Sequence, residues 1–186
     1  MLHQYGRTVL ASQSSLLGAA GEHFVMSEML RRGYVAALAP PGVPNVDIVV
    51  TNIEGTRLCS IQVKTRRAIG SDGGWHMKAK HETIRADRLF YCFVDFGKTP
   101  NDRPTVHVLP SRLVAEVLAA SYSKWLATPG KKGQPHKESI MRRLLPDYTK
   151  TFGVTNNAYP KGWLDQHRDA WHLLALEPTG VELEAD

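Results

Sequence analysis

The stretch LFYCFVDF at residues 89–96 is apolar at nearly every position. A strand with one face in water alternates apolar and polar side chains, whereas a strand that is covered on both faces is apolar almost throughout. We therefore expect residues 89–96 to form a buried central strand of a sheet. Any fold for this chain has to bury that strand.

The other predicted elements are helices and strands in mixed order. Apolar residues at helical spacing predict a first helix over residues 15–32 and a second over about 112–126. Further strand candidates lie at residues 34–38, 47–53, 56–65, 76–80 and 105–109. Two more helix candidates follow, at about 138–145 and 163–176. This order predicts an α/β fold with a mixed central β-sheet flanked by helices. We expect a single domain over residues 1–186, because this length suits one substantial core.

Composition excludes several classes of protein. No apolar run approaches the roughly 20 residues that a membrane-spanning helix needs, and residues 1–15 lack the apolar segment of a secretion signal. The two cysteines, Cys59 and Cys92, lie in apolar strand-like runs, and no cluster has zinc-finger spacing. Such thiols suit a reducing compartment, although a single buried disulfide stays open. We expect a cytoplasmic protein with no membrane partner.

The net charge of +5 is a mild bias toward polyanions such as nucleic acid. The basic residues are concentrated in two segments. Residues 64–88 contain Lys64, Arg66, Arg67, Lys78, Lys80, Arg85 and Arg88, against Asp72, Glu82 and Asp87. Residues 131–143 contain Lys131, Lys132, Lys137, Arg142 and Arg143, against Glu138. A solvated surface and a nucleic-acid interface both account for this pattern.

A hairpin is predicted where the strand candidates 47–53 and 56–65 are separated by only two turn residues. This turn places Asp47 directly opposite Gln62, and opposed Cβ atoms in an antiparallel pair are about 5 Å apart. Lys64 follows on the same face of its strand. A slip by one residue would separate the two faces. In the predicted register, a carboxylate, an amide and an ammonium group converge.

This combination of groups suits phosphodiester cleavage. The reaction needs an activated water and stabilisation of the charge that develops on the phosphate, and a divalent metal ion can supply both. Mg²⁺ prefers oxygen ligands and usually takes one or two carboxylates from the protein. The candidate ligands are the Asp47 carboxylate, the Gln62 side-chain carbonyl and the Val63 backbone carbonyl. Lys64 could orient the attacking water or neutralise the developing charge.

Together with Gly21-Glu22 on the first predicted helix, Asp47 and Gln62-Val63-Lys64 resemble the pattern of the PD-(D/E)XK nuclease superfamily. The resemblance is to the branch of Holliday-junction resolvase-like and homing-type endonucleases. It implies a restriction-endonuclease-like core over about residues 14–126, with a helix, a β-meander, a second helix and a further strand. Residues 127–186 match no part of that core, and we expect them to form a C-terminal helical extension.

The resemblance also implies a role for each residue of the pattern. Asp47 is the central carboxylate that binds Mg²⁺ or Mn²⁺, Lys64 is the motif lysine, and Glu22 completes the site through the metal or through a bound water. Gln62 stands where most members have Glu or Asp, which removes one negative charge and weakens metal binding. Some homing-type members use glutamine here and remain nucleases. The proline that often directly precedes the aspartate is missing, since the chain reads Asn45-Val46-Asp47.

These observations predict a metal-dependent endonuclease that hydrolyses DNA, on double-stranded or branched substrates, with a monomer and a homodimer both left open. Phosphate contacts supply most sequence-independent affinity for DNA. The candidates for such contacts are Thr65, Arg66, Arg67, Lys78 and Lys80. An alternative, motivated by Gln62, is a catalytically weakened or inactive nucleic-acid-binding module on the same fold. A third is a protein-interaction role for the C-terminal extension.

Overall fold

The structure is a computed structural model and describes residues 13–68 and 73–176. Its elements in chain order are α1 (Gln13–Arg31), β1 (Val35–Leu38), β2 (Ile48–Thr51), β3 (Leu58–Arg66), β4 (Trp75–Lys78), a 3₁₀ helix (Ala79–Glu82), β5 (Leu89–Asp95), β6 (Thr105–Pro110), α2 (Ser111–Ala127), β7 (Met141–Leu144), the single-turn helix α3 (Thr149–Phe152) and two further 3₁₀ helices (Asp165–His167 and Trp171–Leu174). Five strands form the main sheet in the order β1-β2-β3-β5-β6, and β4 pairs with β7 in a second sheet.

The strand predicted from LFYCFVDF is β5, and its burial is confirmed. Its first six residues are all buried. It pairs in parallel with β3 and antiparallel with β6, so the main sheet is mixed, as predicted. Because side chains alternate along a strand, β5 contributes to an apolar core on each face of the sheet.

The two cores lie on opposite faces of the main sheet. On one face, Val25 and Met29 of α1 pack with Ile61 and Val63 of β3. On the other face, residues of α2 pack with β5 and with part of the C-terminal segment, a cluster that includes Tyr91, Phe93, Val114, Leu118 and Trp163. Burial of each such side chain stabilises the fold by about 1.5–3 kcal/mol.

Helix α1 approaches β3 closely at a glycine. A Cβ atom added at Gly21 would collide with the Thr65 side chain, whereas one added at Gly18 would meet nothing within 4 Å. Gly21 therefore permits the close packing of α1 on β3, whereas Gly18 does not take part in this contact. This contact places Glu22, the next residue, beside the C-terminal half of β3.

The predicted hairpin has the predicted register but a longer turn. Ile48 pairs with Ile61, which is the register that brings Asp47 opposite Gln62. The predicted two-residue turn is wrong, because β2 ends at Thr51 and β3 begins at Leu58. The reason is the buried Asn52 side chain: its Oδ1 accepts a hydrogen bond from the Arg57 backbone at 2.8 Å, and its Nδ2 donates to the Thr56 hydroxyl at 2.9 Å.

The predicted helix over residues 138–145 is wrong. This segment forms β7, which pairs antiparallel with β4. Arg142 and Leu144 are buried while Met141 and Arg143 are exposed, which is the alternation of a strand. Arg142 is accommodated inside because its guanidinium pairs with Glu82 and lies over the Tyr122 ring.

The predicted helix over residues 163–176 is also wrong, so the C-terminal extension is not the helical one expected. The chain there has two short 3₁₀ helices, and Asp169 between them has a positive φ of 49°. The Asp169 backbone N–H donates to Val106 on β6 at 3.0 Å, and Arg168 bridges to His107. The segment thus runs along the edge of the sheet: Trp163 lies in the core on one face and Trp171 in the core on the other.

The two cysteines, Cys59 and Cys92, are both buried and free. None of the helices in residues 13–68 and 73–176 has the length and apolar character needed to cross a membrane.

Candidate active site

Asp47 lies immediately before β2 and faces Gln62 on β3. Its Oδ2 atom accepts hydrogen bonds from the Val63 backbone N–H at 2.7 Å and from Gln62 Nε2. Its own backbone N–H donates to the Ile61 carbonyl at 2.9 Å, which extends the ladder of the β2–β3 pair by one step. The carboxylate and the amide predicted to converge are therefore in direct contact.

Lys64 is half-buried and lies on the face of β3 that carries Gln62. Burial lowers the pKa of Lys64, and the charge of Asp47 acts in the opposite direction. Glu22 also favours the charged ammonium, whereas Lys80 and Lys78 disfavour it. The ammonium group thus lies within electrostatic range of two carboxylates and two other cations.

Glu22 reaches the site from α1. Burial raises the pKa of Glu22, and the neighbouring charge of Asp47 raises it further. His23 and Lys64 act in the opposite direction. The structure therefore places Asp47 and Gln62 in contact and Glu22 and Lys64 within electrostatic range of Asp47, and the chemical roles assigned to the four residues remain predictions.

The donor set suits a hard divalent cation. The residues that the structure describes contain no cluster of three or more His, Cys, Asp or Glu side chains arranged to hold a metal. The site instead offers two carboxylates, one amide oxygen and the Val63 carbonyl, which are the oxygen ligands that Mg²⁺ prefers. The charge of Asp47 disfavours the ionised form of Glu22, and a cation between the two carboxyl groups would relieve that repulsion. To act as a ligand, Gln62 would turn its amide so that the oxygen replaces the nitrogen.

A buried histidine, His81, is linked to the predicted site through Tyr91, and the sequence did not predict it. Gln62 is in register with Tyr91 on β5, and the Tyr91 hydroxyl hydrogen-bonds His81 Nδ1 at 2.7 Å. His81 is only 3% exposed. Burial, with Lys64 and two other lysines nearby, lowers the pKa of His81 to about 4, so the imidazole is neutral at pH 7. His81 belongs to a 3₁₀ helix without apolar periodicity, and no local pattern indicates its position.

The three residues that follow Lys64 all contact other parts of the protein. Thr65 lies under Gly21, on the α1 side of the sheet. Arg66 forms an ion pair with Asp95 at 2.7 Å, and its guanidinium lies 4.0 Å from the centre of the Trp75 ring. Arg67 donates to the Lys98 carbonyl. Their contacts with phosphate stay predictions.

Lys78 and Lys80 have a different environment, since both are exposed. Their charges lower the pKa of Lys64 and of His81, so both cations lie within electrostatic range of the candidate site. The two lysines predicted to bind nucleic acid are thus on the same side of the molecule as Asp47, Gln62 and Lys64.

No protein-family model matches the chain, and no curated protein matches its sequence. In structure, the chain is similar to a bacterial homing endonuclease, I-Ssp6803I, with a TM-score of 0.50 and 15% sequence identity over 89% of this chain and 94% of that chain. A second similar structure is Hjc, a Holliday junction resolvase from the archaeal hyperthermophile Archaeoglobus fulgidus, with a TM-score of 0.39 and 16% identity over 68% of this chain and 82% of that chain. The first similarity spans nearly the whole chain. The protein therefore has the restriction-endonuclease-like α/β fold that its sequence pattern predicts.

Proposed function

We propose that this protein is a metal-dependent endonuclease that hydrolyses phosphodiester bonds in DNA. The observation that carries the proposal is the contact of Asp47 with Gln62 on the main sheet, with Glu22 and Lys64 within electrostatic range of the Asp47 carboxylate. In a fold shared with a homing endonuclease, this is the arrangement that phosphodiester hydrolysis needs.

The carboxylates of Asp47 and Glu22, the Gln62 amide oxygen and the Val63 carbonyl would hold Mg²⁺ or Mn²⁺. When bound, the cation supplies a Lewis acid for the phosphate and lowers the pKa of a water molecule. Asp47 is already oriented for this role, because the Val63 N–H and the Gln62 amide fix one of its oxygens, and among residues 13–68 and 73–176 no hydrogen bond is recorded to the other.

Lys64 would act on the reacting phosphate. Its ammonium is a compact cation with three donors that can rotate toward a phosphate oxygen or an attacking water. Partial burial strengthens its electrostatic effect, because a charge is screened less away from bulk water. Asp47 and Glu22 favour the protonated form against the cost of burial. The exposed Lys78 and Lys80, with Arg67, would hold the DNA backbone beside the site.

The test is cleavage of supercoiled plasmid DNA with Mg²⁺ or Mn²⁺ by the wild type, Lys64→Ala and the control Lys150→Ala, which removes an equally positive charge from an exposed position on α3. We expect Lys64→Ala to reduce the cleavage rate by about 100-fold or more, with unchanged thermal unfolding and most DNA binding retained. The control should cleave as the wild type does. Full cleavage by Lys64→Ala in the presence of metal would contradict the mechanism.

A catalytically inactive nucleic-acid-binding module is the second candidate. The observation in its favour is the hydrogen bond from Gln62 to Asp47, because a neutral amide satisfies the carboxylate without a cation. Calorimetric titration with Mn²⁺ separates the two functions. A nuclease should bind Mn²⁺, and Asp47→Asn should lose that binding. An inactive module should bind DNA in a salt-dependent way and show no heat on addition of Mn²⁺.

A further inference from the structure

Strands β4 and β7 form a two-stranded ribbon that is not hydrogen-bonded into the main sheet as a further strand. We call it the β4–β7 ribbon; its strands pair in the register Trp75↔Leu144, His76↔Arg143, Met77↔Arg142 and Lys78↔Met141. The Ala79 N–H donates to the Ile140 carbonyl at 2.8 Å and continues the ladder. Four residues per strand give a ribbon about 14 Å long.

The inner face of the β4–β7 ribbon is fixed to the rest of the protein. Its four inward side chains are Trp75, Met77, Arg142 and Leu144, and all are buried. The Trp75 indole N–H donates to the Val94 carbonyl on β5 at 2.8 Å. Arg142 pairs with Glu82 in the 3₁₀ helix. The ribbon is therefore a rigid platform held by apolar packing and by a buried ion pair.

The outer face of the ribbon is basic. Its four outward side chains are His76, Lys78, Met141 and Arg143, and all are exposed. Two of them carry permanent positive charge and none is a carboxylate. The loop that precedes β7 adds the exposed Lys131, Lys132 and Lys137, against Glu138. The second basic segment of the sequence thus comprises β7 and the loop that leads to it.

The ribbon is also close to the candidate active site. On β3, the Arg66 guanidinium, two residues after Lys64, lies 4.0 Å from the centre of the Trp75 ring on β4, and Lys80 follows two residues after the end of β4. The ribbon thus lies beside the strand that carries Lys64, and the outer face of the ribbon has no carboxylate.

We propose that the outer face of the β4–β7 ribbon binds double-stranded DNA across the major groove, with Lys78 and Arg143 on the phosphates. This proposal rests on the proposed function and adds to it the form of the substrate. The major groove of B-DNA is about 12 Å wide and admits a two-stranded β-ribbon, and lysine and arginine are the usual partners of phosphates. A single strand offers no groove for a rigid ribbon of this shape.

The test compares Lys78→Ala/Arg143→Ala with the control Arg31→Ala/Arg57→Ala, which also removes two positive charges. Arg31 is at the C-terminal end of α1, and Arg57 is in the turn before β3, at the opposite end of that strand from Lys64. All variants carry Lys64→Ala to prevent cleavage. Binding to a fluorescent duplex of about 30 base pairs is measured from 50 to 300 mM salt, and again with one strand of the same oligonucleotide.

We expect the ribbon variant to bind the duplex at least about tenfold more weakly at 150 mM salt, with a salt slope reduced by about 2, while the control changes little. Single-strand binding should fall less than duplex binding. A ribbon variant that behaves like the control, or that loses duplex and single-strand binding equally, would overturn this inference and leave the proposed function standing. A Lys64→Ala parent that binds neither the duplex nor the single strand would overturn both. Equal thermal unfolding of all proteins checks that each is folded.

Discussion

The contact between Asp47 and Gln62 shows how the protein's own donors satisfy a half-buried carboxylate. Two hydrogen bonds reach one Asp47 oxygen, from the Gln62 amide and from the Val63 N–H. A carboxylate at position 62 would place a second negative charge at this point and raise the pKa of one member of the pair. Glutamine thus lowers the attraction for a cation and removes a repulsion from the fold.

We therefore expect Gln62→Glu to lower the free energy of unfolding at pH 8, with a chelator present, by about 1–3 kcal/mol, because a carboxyl pKa raised by one or two units costs this much. The loss should disappear as the pH falls through the raised pKa. In Mn²⁺ the variant should gain more stability than the wild type. Urea denaturation measures both effects, and Gln166→Glu on the exposed surface is the control. Equal stability and equal Mn²⁺ response in the variant and the wild type would refute this account.

The buried imidazole of His81 makes stability depend on pH. Its pKa is about 4 in the fold against an ordinary 6.5, so the unfolded chain binds more protons between these values and stability is lost as pH falls. We expect a loss of about 2 kcal/mol between pH 7 and pH 5. His81→Gln should remove most of this dependence, whereas exposed His76→Gln should retain it. Urea denaturation at both pH values measures this dependence. An unchanged pH dependence in His81→Gln would exclude His81 as the cause.

Single residues of the site differed in how far the sequence predicted them. Asp47, Gln62 and Lys64 were placed together by strand alternation and hairpin register, which are local rules. Glu22 entered only through the resemblance, because no local rule links a helix residue to a strand that follows it. The ion pair of Arg66 joins residues 29 positions apart, and nothing in the sequence between them indicates that partner.

Among the elements, the contact of α1 with β3 depends on Gly21, which has no side chain. Alanine favours a helix over glycine by about 1 kcal/mol. At Gly21, however, a Cβ would meet the stiff, β-branched Thr65. Propensity and packing therefore act in opposite directions at this position, while at Gly18 only propensity acts.

Gly21→Ala should consequently lower the free energy of unfolding by about 1–3 kcal/mol through overpacking, whereas Gly18→Ala should raise it by up to about 1 kcal/mol. Because Glu22 follows the contact, Gly21→Ala should also slow DNA cleavage. Thermal and urea unfolding of both variants provides the comparison. If the two alanine variants have the same stability, the close approach does not control this interface.

The strands of the hairpin could be predicted and β7 could not, for a physical reason. The hairpin partners are neighbours in sequence, so alternation and spacing determine their register. The partner of β7 is β4, more than 60 residues earlier, and the burial of Arg142 depends on Glu82. A segment that contains both helical and strand spacing takes the form that its distant partner imposes.

At the scale of the whole molecule, the segment after α3 connects the two cores. Trp163 and Trp171 are buried on opposite faces of the main sheet, and the turn at Asp169 between them lies against β6. Their apolar character predicted burial correctly. Their spacing in the sequence wrongly indicated a helix. Spacing alone does not show that the edge of the sheet lies between the two tryptophans.

This arrangement predicts that the C-terminal segment contributes to global stability. Trp171→Ala should lower the free energy of unfolding by about 3–5 kcal/mol, as for other large-to-small changes in a core. Val154→Ala, at a site that is 85% exposed, should have almost no effect. Urea denaturation followed by circular dichroism measures both. A Trp171→Ala variant as stable as the Val154 control would mean that the segment is an appendage.

The covering of β6 has a consequence for self-association. On one lateral edge of the main sheet, Arg168 bridges to His107 and the Asp169 N–H donates to Val106, so this part of β6 is covered. At the other edge is β1, and within the described ranges no strand pairs with its outer side. A sheet with two open edges can add copies without limit, whereas a sheet with one can accept a single partner and then has no edge left. Edge-to-edge pairing of this protein would therefore end at a closed two-fold pair instead of growing into a fibre.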